Sequence, residues 1–391
     1  MDLYTLSPSE RTLRLQKIID NMRAADMHAM LAVTSTSLFY LTGRVFLGYI
    51  LIDAASGTAT PFVMRPAEME GDDIVYIRKP EQIADHTTLP PHNIGLELNA
   101  LPYNEVMRLA AAFGNPRIAD ASPLLARARA VKTPAEIEMI RQCGIKHDRV
   151  YRLIPKLYRE GMSDIEFQVE IERVMRQEGC LGQLRVNGRS MEIHMGSLLV
   201  GDNADTPSPY DFSMGGAGID PSLPVGADGT IIRPGNSVMA DMNGDFNGYM
   251  TDMTRTFSLG ALSPQAIAAH ETSVRICDTL ARAARPGMEC RELYDMTLAI
   301  VKEAHLEPYF MGHRYHAKFI GHGVGIEINE LPVITPKSHA LLEAGNVIAL
   351  EPKFVIPGTG AVGIENTYLL TPDRGLQSFN NAPTEIISLD R

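Results

Sequence analysis

The sequence predicts an α+β fold of two domains, an N-terminal α/β domain over 1–130 and a C-terminal domain over 131–391. In the first part, strand-like and helix-like segments alternate, which is typical of a mixed sheet covered by helices. In the second part, long helical segments come first and strands separated by glycine and proline follow. Thr133 precedes a proline and stands three residues before Glu136, a pattern that indicates a helix start at the domain boundary.

The N-terminal domain begins with an amphipathic segment over 9–25, which predicts a helix because its apolar residues recur at helical spacing. Apolar and β-branched runs then predict strands over 28–34, 46–52, 58–64, 74–78 and 93–98. A short helix or turn over 38–43 and a helix over 104–113 interrupt them. Few residues of this domain suggest chemistry.

The C-terminal domain begins with two predicted helices, over 133–158 and 163–178. The segment 182–229 is rich in glycine, proline, serine and aspartate, and we expect short strands (192–194, 197–200) and ordered loops that line a cleft. Further elements are predicted as strands over 238–241 and 249–257, helices over 263–284 and 290–304, and a strand-rich region over 320–387.

Asp241 and Asp252 flank a strong turn signal, Asn247-Gly248, because both turn residues tolerate positive φ. A turn that pivots at Phe246-Asn247 would place the two acids opposite each other, with Cβ atoms about 4.5–5.5 Å apart. A turn centred on Asn247-Gly248 would shift the register, and a bulge would be needed to restore the pairing. Two such carboxylates repel each other unless a cation lies between them. Two exposed strand acids are the simpler alternative.

Three further groups lie in strand-like settings downstream. His322 lies between glycines, Glu351 ends an apolar run, and Glu365 follows another. A carboxylate in such a place is costly unless it is paired or coordinated. Singly, they could be a hydrogen-bonded core histidine and salt-bridged strand acids. Together with Asp241 and Asp252 they form an oxygen-rich set that suits two divalent ions such as Mn, Co, Fe or Zn. Two ions about 3.5–4 Å apart can activate a shared water.

Composition narrows the functional classes. The 36 Lys and Arg against 47 Asp and Glu give a net charge of −11, which argues against a nucleic-acid or anionic-membrane partner. No apolar run is long enough to span a bilayer, and the N-terminus does not resemble a signal peptide. The four cysteines have no CxxC spacing, so we expect free thiols and a cytoplasmic protein.

From about residue 131 to 370 the sequence resembles the pita-bread metallopeptidases, which include methionine aminopeptidase, Xaa-Pro aminopeptidase and prolidase, with the metal-free creatinases as relatives. The matching positions are Asp241, Gly248-Tyr249, Asp252-Met-Thr-Arg-Thr-Phe257, Gly321-His322-Gly-Val-Gly325, Glu351-Pro352 and Ile364-Glu365-Asn366. The first 130 residues, including Tyr40-Leu-Thr-Gly43, resemble the creatinase/prolidase N-terminal domain. The resemblance implies a pita-bread fold over 131–391 and a homodimer.

The resemblance also implies roles for the five ligands. Asp241 would bind one metal ion, and Asp252 and Glu365 would bridge both. His322 and Glu351 would bind the other. Glu351 would in addition carry a proton to the leaving nitrogen after a hydroxide between the two metals attacks the scissile amide.

Four positions depart from the family pattern. Asn329 replaces a second histidine, Lys318 replaces a histidine before the metal ligand, and Gly363 replaces an arginine. An upstream histidine has no counterpart, since 206–211 occupies that region and His194 lies too far upstream. Asn329 can still donate a hydrogen bond to a carbonyl oxygen, but it cannot transfer a proton near neutral pH.

His313 and His316 lie nearby in the sequence and are candidates to replace a missing imidazole, although surface or core positions are the simpler interpretation. The sequence thus predicts a metal-dependent peptidase that acts on a small peptide or amide, often with proline after the scissile bond. The alternatives are a non-peptide C–N hydrolase or lyase of the creatinase type, and a catalytically silent binding protein.

Overall fold

The computed structural model describes residues 6–69, 71, 73–87, 93–186, 194–210 and 214–390. The chain divides into two compact units, Met1–Arg129 and Ala130–Arg391. Among the described helices, none combines the length and hydropathy needed to cross a lipid bilayer. The four cysteines are buried free thiols, as the sequence predicted.

The first unit contains a six-stranded mixed sheet with the order β4-β3-β2-β1-β5-β6. Its strands are β1 (Ala29–Ala32), β2 (Leu47–Asp53), β3 (Thr58–Arg65), β4 (Val75–Tyr76), β5 (Asn93–Leu96) and β6 (Arg117–Asp120). Its helices are α1 (Pro8–Ala24), α2 (Ser35–Thr42), α3 (Tyr103–Ala112) and α4 (Ser122–Ala130). Leu31, Phe62, Ile94 and Leu109 form part of its apolar core. The mixed sheet confirms the predicted α/β class.

The described residues of the second unit form four long helices, α5 (Pro134–Leu153), α6 (Asp164–Gln177), α7 (Pro264–Ala283) and α8 (Cys290–Glu303). The predicted start of α5 is confirmed. The Thr133 side chain accepts from the backbone N–H of Glu136 at 3.2 Å, and the Glu136 carboxylate accepts from the Thr133 N–H at 2.9 Å. These two bonds satisfy donors that a helix N-terminus otherwise leaves unpaired.

Two sheets and a hairpin carry the site in this unit. The first sheet has the order β17-β9-β8-β7, and the second has the order β11-β10-β12-β15-β16. Strands of the first sheet are β7 (Gly196–Val200), β8 (Ser237–Asp245), β9 (Met250–Ser258) and β17 (Ile387–Ser388). Strands of the second are β10 (Gly321–Gly323), β11 (Glu330–Ile334), β12 (Val347–Leu350), β15 (Asn366–Thr371) and β16 (Gly375–Ser378). The hairpin pairs β13 (Lys353–Ile356) with β14 (Gly360–Gly363).

The loop-rich segment contains β7 and a short 3₁₀ helix, Gly201–Asp205. Residues 192 and 193 of the predicted strand 192–194 lie outside the described residues, as does Asp211. His194 is exposed.

The β8/β9 hairpin turns about Asn247-Gly248, the second of the two predicted registers, and its ladder continues without a shift, so the predicted opposition of Asp241 and Asp252 is wrong. Asp241 lies opposite Thr254, and Asp252 lies opposite Asn243. The turn is four residues long because Gly248, at φ +89°, donates its N–H to the Asp245 carboxylate at 2.8 Å. The two acids are therefore diagonal neighbours on one face of the hairpin, where long side chains still approach each other.

Candidate metal centre and substrate cleft

The structure brings all five sequence-predicted metal ligands to one cavity of about 160 Å³. β8 and β9 supply the two aspartates, β10 supplies His322, and the two glutamates come from the chain after β12 and after β14. The remaining lining residues are Leu184, Gly196, Ser197, Asn243, Phe319, Ile328, Asn329 and Val333. The cavity therefore joins an acidic floor to partly apolar walls.

Asp252, His322 and Glu365 offer ligand atoms that all lie within 4.8 Å of one another. His322 Nε2 lies 3.9 Å from Asp252 Oδ2 and 3.2 Å from Glu351 Oε1. Its Nδ1 is 3.2 Å from the Gly323 carbonyl, so Nε2 is the nitrogen that faces the carboxylates. One imidazole nitrogen and two carboxylates are a suitable donor set for a divalent transition metal.

Lys353 is the site residue that sequence reasoning missed. Its Nζ donates to Asp241 Oδ2 at 2.8 Å, to Glu351 Oε2 at 2.9 Å and to Glu365 Oε2 at 3.0 Å. The lysine side chain is fully buried. A signal was present in the sequence, since a lysine directly before Phe354-Val355-Ile356 begins a strand that is otherwise apolar.

The hydrogen bonds of the Glu365 carboxylate indicate that a cation fits this site. Glu365 Oε1 is buried and has no hydrogen-bond partner among the described residues, whereas Oε2 accepts from Thr254 Oγ1 at 2.9 Å and from Lys353. A buried carboxylate oxygen without a partner is costly, and a metal ion would relieve that cost. The residues therefore fit one divalent cation at Asp252, His322 and Glu365, while the ammonium already engages Asp241 and Glu351.

Burial and mutual charge shift the pKa values of these groups. Burial, with the neighbouring Asp241 charge, raises the pKa of Asp252 to about 7. Burial alone would raise the pKa of Glu351, but Lys353 and His322 outweigh it and hold that pKa at about 2. Burial also opposes the charged form of His322, yet its hydrogen bond to Glu351 raises the His322 pKa to about 10. The centre thus favours bound positive charge.

A buried arginine holds the segment after β14 that carries Glu365. Arg255 Nη1 donates to the carbonyls of Thr254 and Glu365, both at 2.8 Å. Its Nη2 donates to Asn366 Oδ1 at 2.8 Å. Because the guanidinium links β9 to the segment after β14, Arg255 acts as a positioning residue for Glu365.

The residues at or near the positions that depart from the family pattern lie in different places relative to the cavity. Asn329 lines the cavity, but His313 and His316 are not among its described lining residues. His313 Nδ1 is 3.0 Å from Asp205, and His316 Nδ1 is 2.8 Å from the Phe310 carbonyl. Lys318 is exposed. The interpretation of both histidines as residues outside the centre agrees with these contacts.

Comparisons with known proteins agree with this architecture. A model described as metallopeptidase family M24 matches residues 138–372, and a model of the creatinase/prolidase N-terminal domain matches residues 14–131. The chain is 26% identical to the Xaa-Pro dipeptidase of Pyrococcus furiosus, over 96% of this chain and 99% of that protein. It is 25% identical to the uncharacterized peptidase YqhT of Bacillus subtilis, over 96% of this chain and 100% of that protein.

A structural likeness supports the same fold. The solved Xaa-Pro dipeptidase from Bacillus anthracis superposes with a TM-score of 0.81 at 23% identity, covering 97% of this chain and 99% of that one. This likeness confirms the predicted pita-bread fold with a creatinase-like N-terminal domain. Since the first family model covers more than half of the sequence, the chain belongs to metallopeptidase family M24.

Proposed function

We propose that this member of family M24 hydrolyses short peptides at the amide bond that follows their N-terminal residue. The observation that carries the proposal is the convergence of Asp252, His322 and Glu365 within 4.8 Å at the floor of the cleft. A divalent cation bound there supplies an electrophile for a carbonyl oxygen and lowers the pKa of water. The relatives named Xaa-Pro dipeptidase support the same reaction class.

Glu351 is the proposed proton carrier of the reaction. Its carboxylate lies between His322 and Lys353, at 3.2 Å and 2.9 Å, so both oxygens face cationic or polar hydrogens. Lys353 and His322 keep this carboxylate ionised, and we propose that it accepts a proton from the attacking water and passes it to the leaving nitrogen.

Asn329 is the proposed donor to the substrate carbonyl. It lines the cavity beside Ile328, and its amide can donate a hydrogen bond to the oxygen that gains negative charge during attack. Such a donor does not titrate near neutral pH, so it can polarise the carbonyl without taking part in proton transfer.

Charge in the cleft favours a substrate with a free amino terminus. The described lining includes four carboxylates, from Asp241, Asp252, Glu351 and Glu365, and neither lysine nor arginine. The Lys353 ammonium and one divalent ion would offset three of these four charges, so the site keeps a net negative charge that attracts an ammonium group and repels a substrate carboxylate. The walls formed by Leu184, Phe319, Ile328 and Val333 suit an apolar side chain beside it.

A panel of peptides tests this proposal. We expect free-amino dipeptides and tripeptides with an apolar first residue, including Xaa-Pro peptides, to be cleaved in the presence of Mn, Co or Zn. Matched N-acetyl peptides are expected to be poor substrates, since they lack the ammonium group. Equal turnover of both series would contradict the proposed recognition of the amino terminus, and silence on every peptide would contradict the peptidase.

A second candidate is a non-peptide C–N hydrolase or lyase of the creatinase type. Two observations favour it, namely Asn329 in place of the second histidine and the Lys353 ammonium among the carboxylates. Turnover of a small C–N substrate that persists in EDTA, with no peptide cleaved, would support it. The expected homodimer, the cytoplasmic location and the second metal ion stay predictions of the sequence. Size-exclusion chromatography with light scattering tests the first.

A further inference from the structure

We propose that Lys353 is a built-in cation that replaces one of the two metal ions expected from the five-ligand set. The centre then binds one divalent ion per chain, at Asp252, His322 and Glu365. The inference rests on the proposed function only in taking these three residues as the ligands of that ion.

The first argument is the identity of the atoms that the lysine engages. Its Nζ lies within 3.0 Å of one oxygen each from Asp241, Glu351 and Glu365. Three carboxylate oxygens around one point are the environment that a divalent ion would otherwise require. An ammonium has three N–H donors, enough for one to each of these three carboxylates.

Strand geometry holds the lysine in this position. Lys353 follows Glu351 by two residues, and successive side chains of an extended chain alternate, so both point to the same face. Lys353 pairs directly with Gly363, and Glu365 lies two residues beyond that glycine. The site face of the β13/β14 hairpin therefore presents the lysine between the two glutamates.

Burial makes it costly for the ammonium to leave. All four residues of β13 are buried, and the lysine side chain has no exposed surface. Moving an ammonium from three carboxylates into apolar surroundings would leave a buried charge unpaired. A second divalent ion would have to displace that ammonium or lie beside it against like-charge repulsion.

The ligand atoms that Lys353 does not contact are enough to bind a single ion. Glu365 uses Oε2 for Lys353 and Thr254, and its Oε1 has no partner among the described residues. Together with Asp252 and His322 Nε2, this oxygen completes the group whose ligand atoms lie within 4.8 Å of one another. The lysine and one divalent ion would thus divide the carboxylates between them.

Metal stoichiometry of the full-length protein tests the inference without relying on activity. The protein is stripped with EDTA, loaded with excess MnCl₂, desalted and analysed by plasma mass spectrometry, and titrated in parallel by calorimetry. We expect one tightly bound Mn²⁺ per chain and the electron paramagnetic resonance spectrum of an isolated ion. Two tightly bound ions with magnetic coupling, or no bound ion, would overturn the inference.

Variants at position 353 separate the charge of the lysine from its volume. Lys353→Gly removes both, and we expect a second Mn²⁺ to bind and couple to the first. Lys353→Met removes the charge but keeps a side chain in the space, so it is expected to retain one ion. A Lys353→Gly protein that folds by circular dichroism and still binds a single ion would contradict the replacement.

The result is distinguishable from a failure of the proposed function. Two bound ions together with peptide cleavage would overturn the inference and leave the peptidase standing. One bound ion together with silence on every peptide would leave the inference standing and overturn the peptidase.

Discussion

Lys353 and Gly363 stand directly opposite each other in the β13/β14 hairpin. A Cβ atom built on Gly363 would lie 2.7 Å from the Pro352 carbonyl oxygen and 3.1 Å from the Lys353 Cα. The glycine also has φ +144°, which side chains rarely adopt. The absence of a side chain at 363, where the family pattern has arginine, is therefore what lets the strand that carries the lysine approach so closely.

Gly363→Ala is expected to destabilise the protein by roughly 1–3 kcal/mol, because it adds a clash to an unfavourable backbone conformation. Urea unfolding measures the change. Gly358→Ala is the matched control, since Gly358 lies in the turn of the same hairpin at φ +75° with open space around its Cβ position. An equal loss in both variants would show that the close approach of the strands is not responsible.

Arg255→Met is expected to lower the free energy of unfolding by about 3 kcal/mol, because it removes the guanidinium donor from the buried Asn366 Oδ1 and Ala382 carbonyl oxygens. Arg275→Met is the control. Arg275 pairs with Glu303 on the surface, where both side chains are more than half exposed, and its loss is expected to leave the free energy of unfolding nearly unchanged. Similar midpoints of guanidinium unfolding for the two variants would contradict the structural role of Arg255.

Asp252→Asn is expected to lose tightly bound metal and to lower kcat/KM by more than about 100-fold. That factor is the largest loss typical of mutating a residue that only hydrogen-bonds to a metal ligand, and Asp252 is proposed to be a ligand itself. Residual metal after desalting and peptide turnover are the two measurements. Asp205→Asn is the control, because Asp205 is as buried as Asp252 but contacts His313 and Arg314 instead. Full turnover of the Asp252 variant would refute the metal centre.

Asn329→Ala is expected to lower kcat/KM by about 100-fold, the effect of removing one donor to the developing oxyanion. The pH profile of kcat/KM is expected to keep its shape, because an amide does not titrate. Ser197→Ala changes another lining residue and is expected to have a small effect. A shifted pH profile in the Asn329 variant would argue for a role in proton transfer instead.

Stability is expected to fall at acidic pH because of His147. This histidine is completely buried, its Nδ1 is 3.0 Å from Thr251 Oγ1, and its Nε2 has no partner among the described residues. Burial, and to a smaller extent the Arg255 charge, lowers its pKa from 6.5 to about 3. The unfolded chain therefore takes up a proton below about pH 6.5 that the folded protein does not bind.

The stability that neutral His147 contributes is present above pH 6.5 and is lost as pH falls towards 3, at about 1.4 kcal/mol per pH unit. Urea unfolding between pH 7 and pH 4 measures this slope. His147→Asn is expected to reduce it by that amount, while Thr251→Val, which perturbs the same contact without removing the titratable group, is expected to keep it. An unchanged slope in the His147 variant would exclude this histidine as the cause.

Local patterns predicted much of the fold and of the site. The hydrogen bonds of Thr133 and Glu136 at the start of α5 depend on residues three apart, so the sequence alone reveals them. The resemblance to the family predicted that one site contains Asp241, Asp252, His322, Glu351 and Glu365, and the structure places all five at one cavity. The sequence left two registers of β8 and β9 open, and the structure has the one whose four-residue turn is centred on Asn247-Gly248.

The sequence by itself was enough to identify the four acids and the imidazole as candidate ligands and to indicate the family of the chain. Only the tertiary structure decided that Lys353 lies among those acids. Its neighbours in the sequence show that it shares a strand face with Glu351, because side chains alternate along an extended chain. Asp241 and Glu365 lie 112 and 12 residues away from Lys353 in the sequence, and they contact the same ammonium only because separate strands pack together. The cost of burying these charges, which the ammonium offsets, also arises only when the strands have packed.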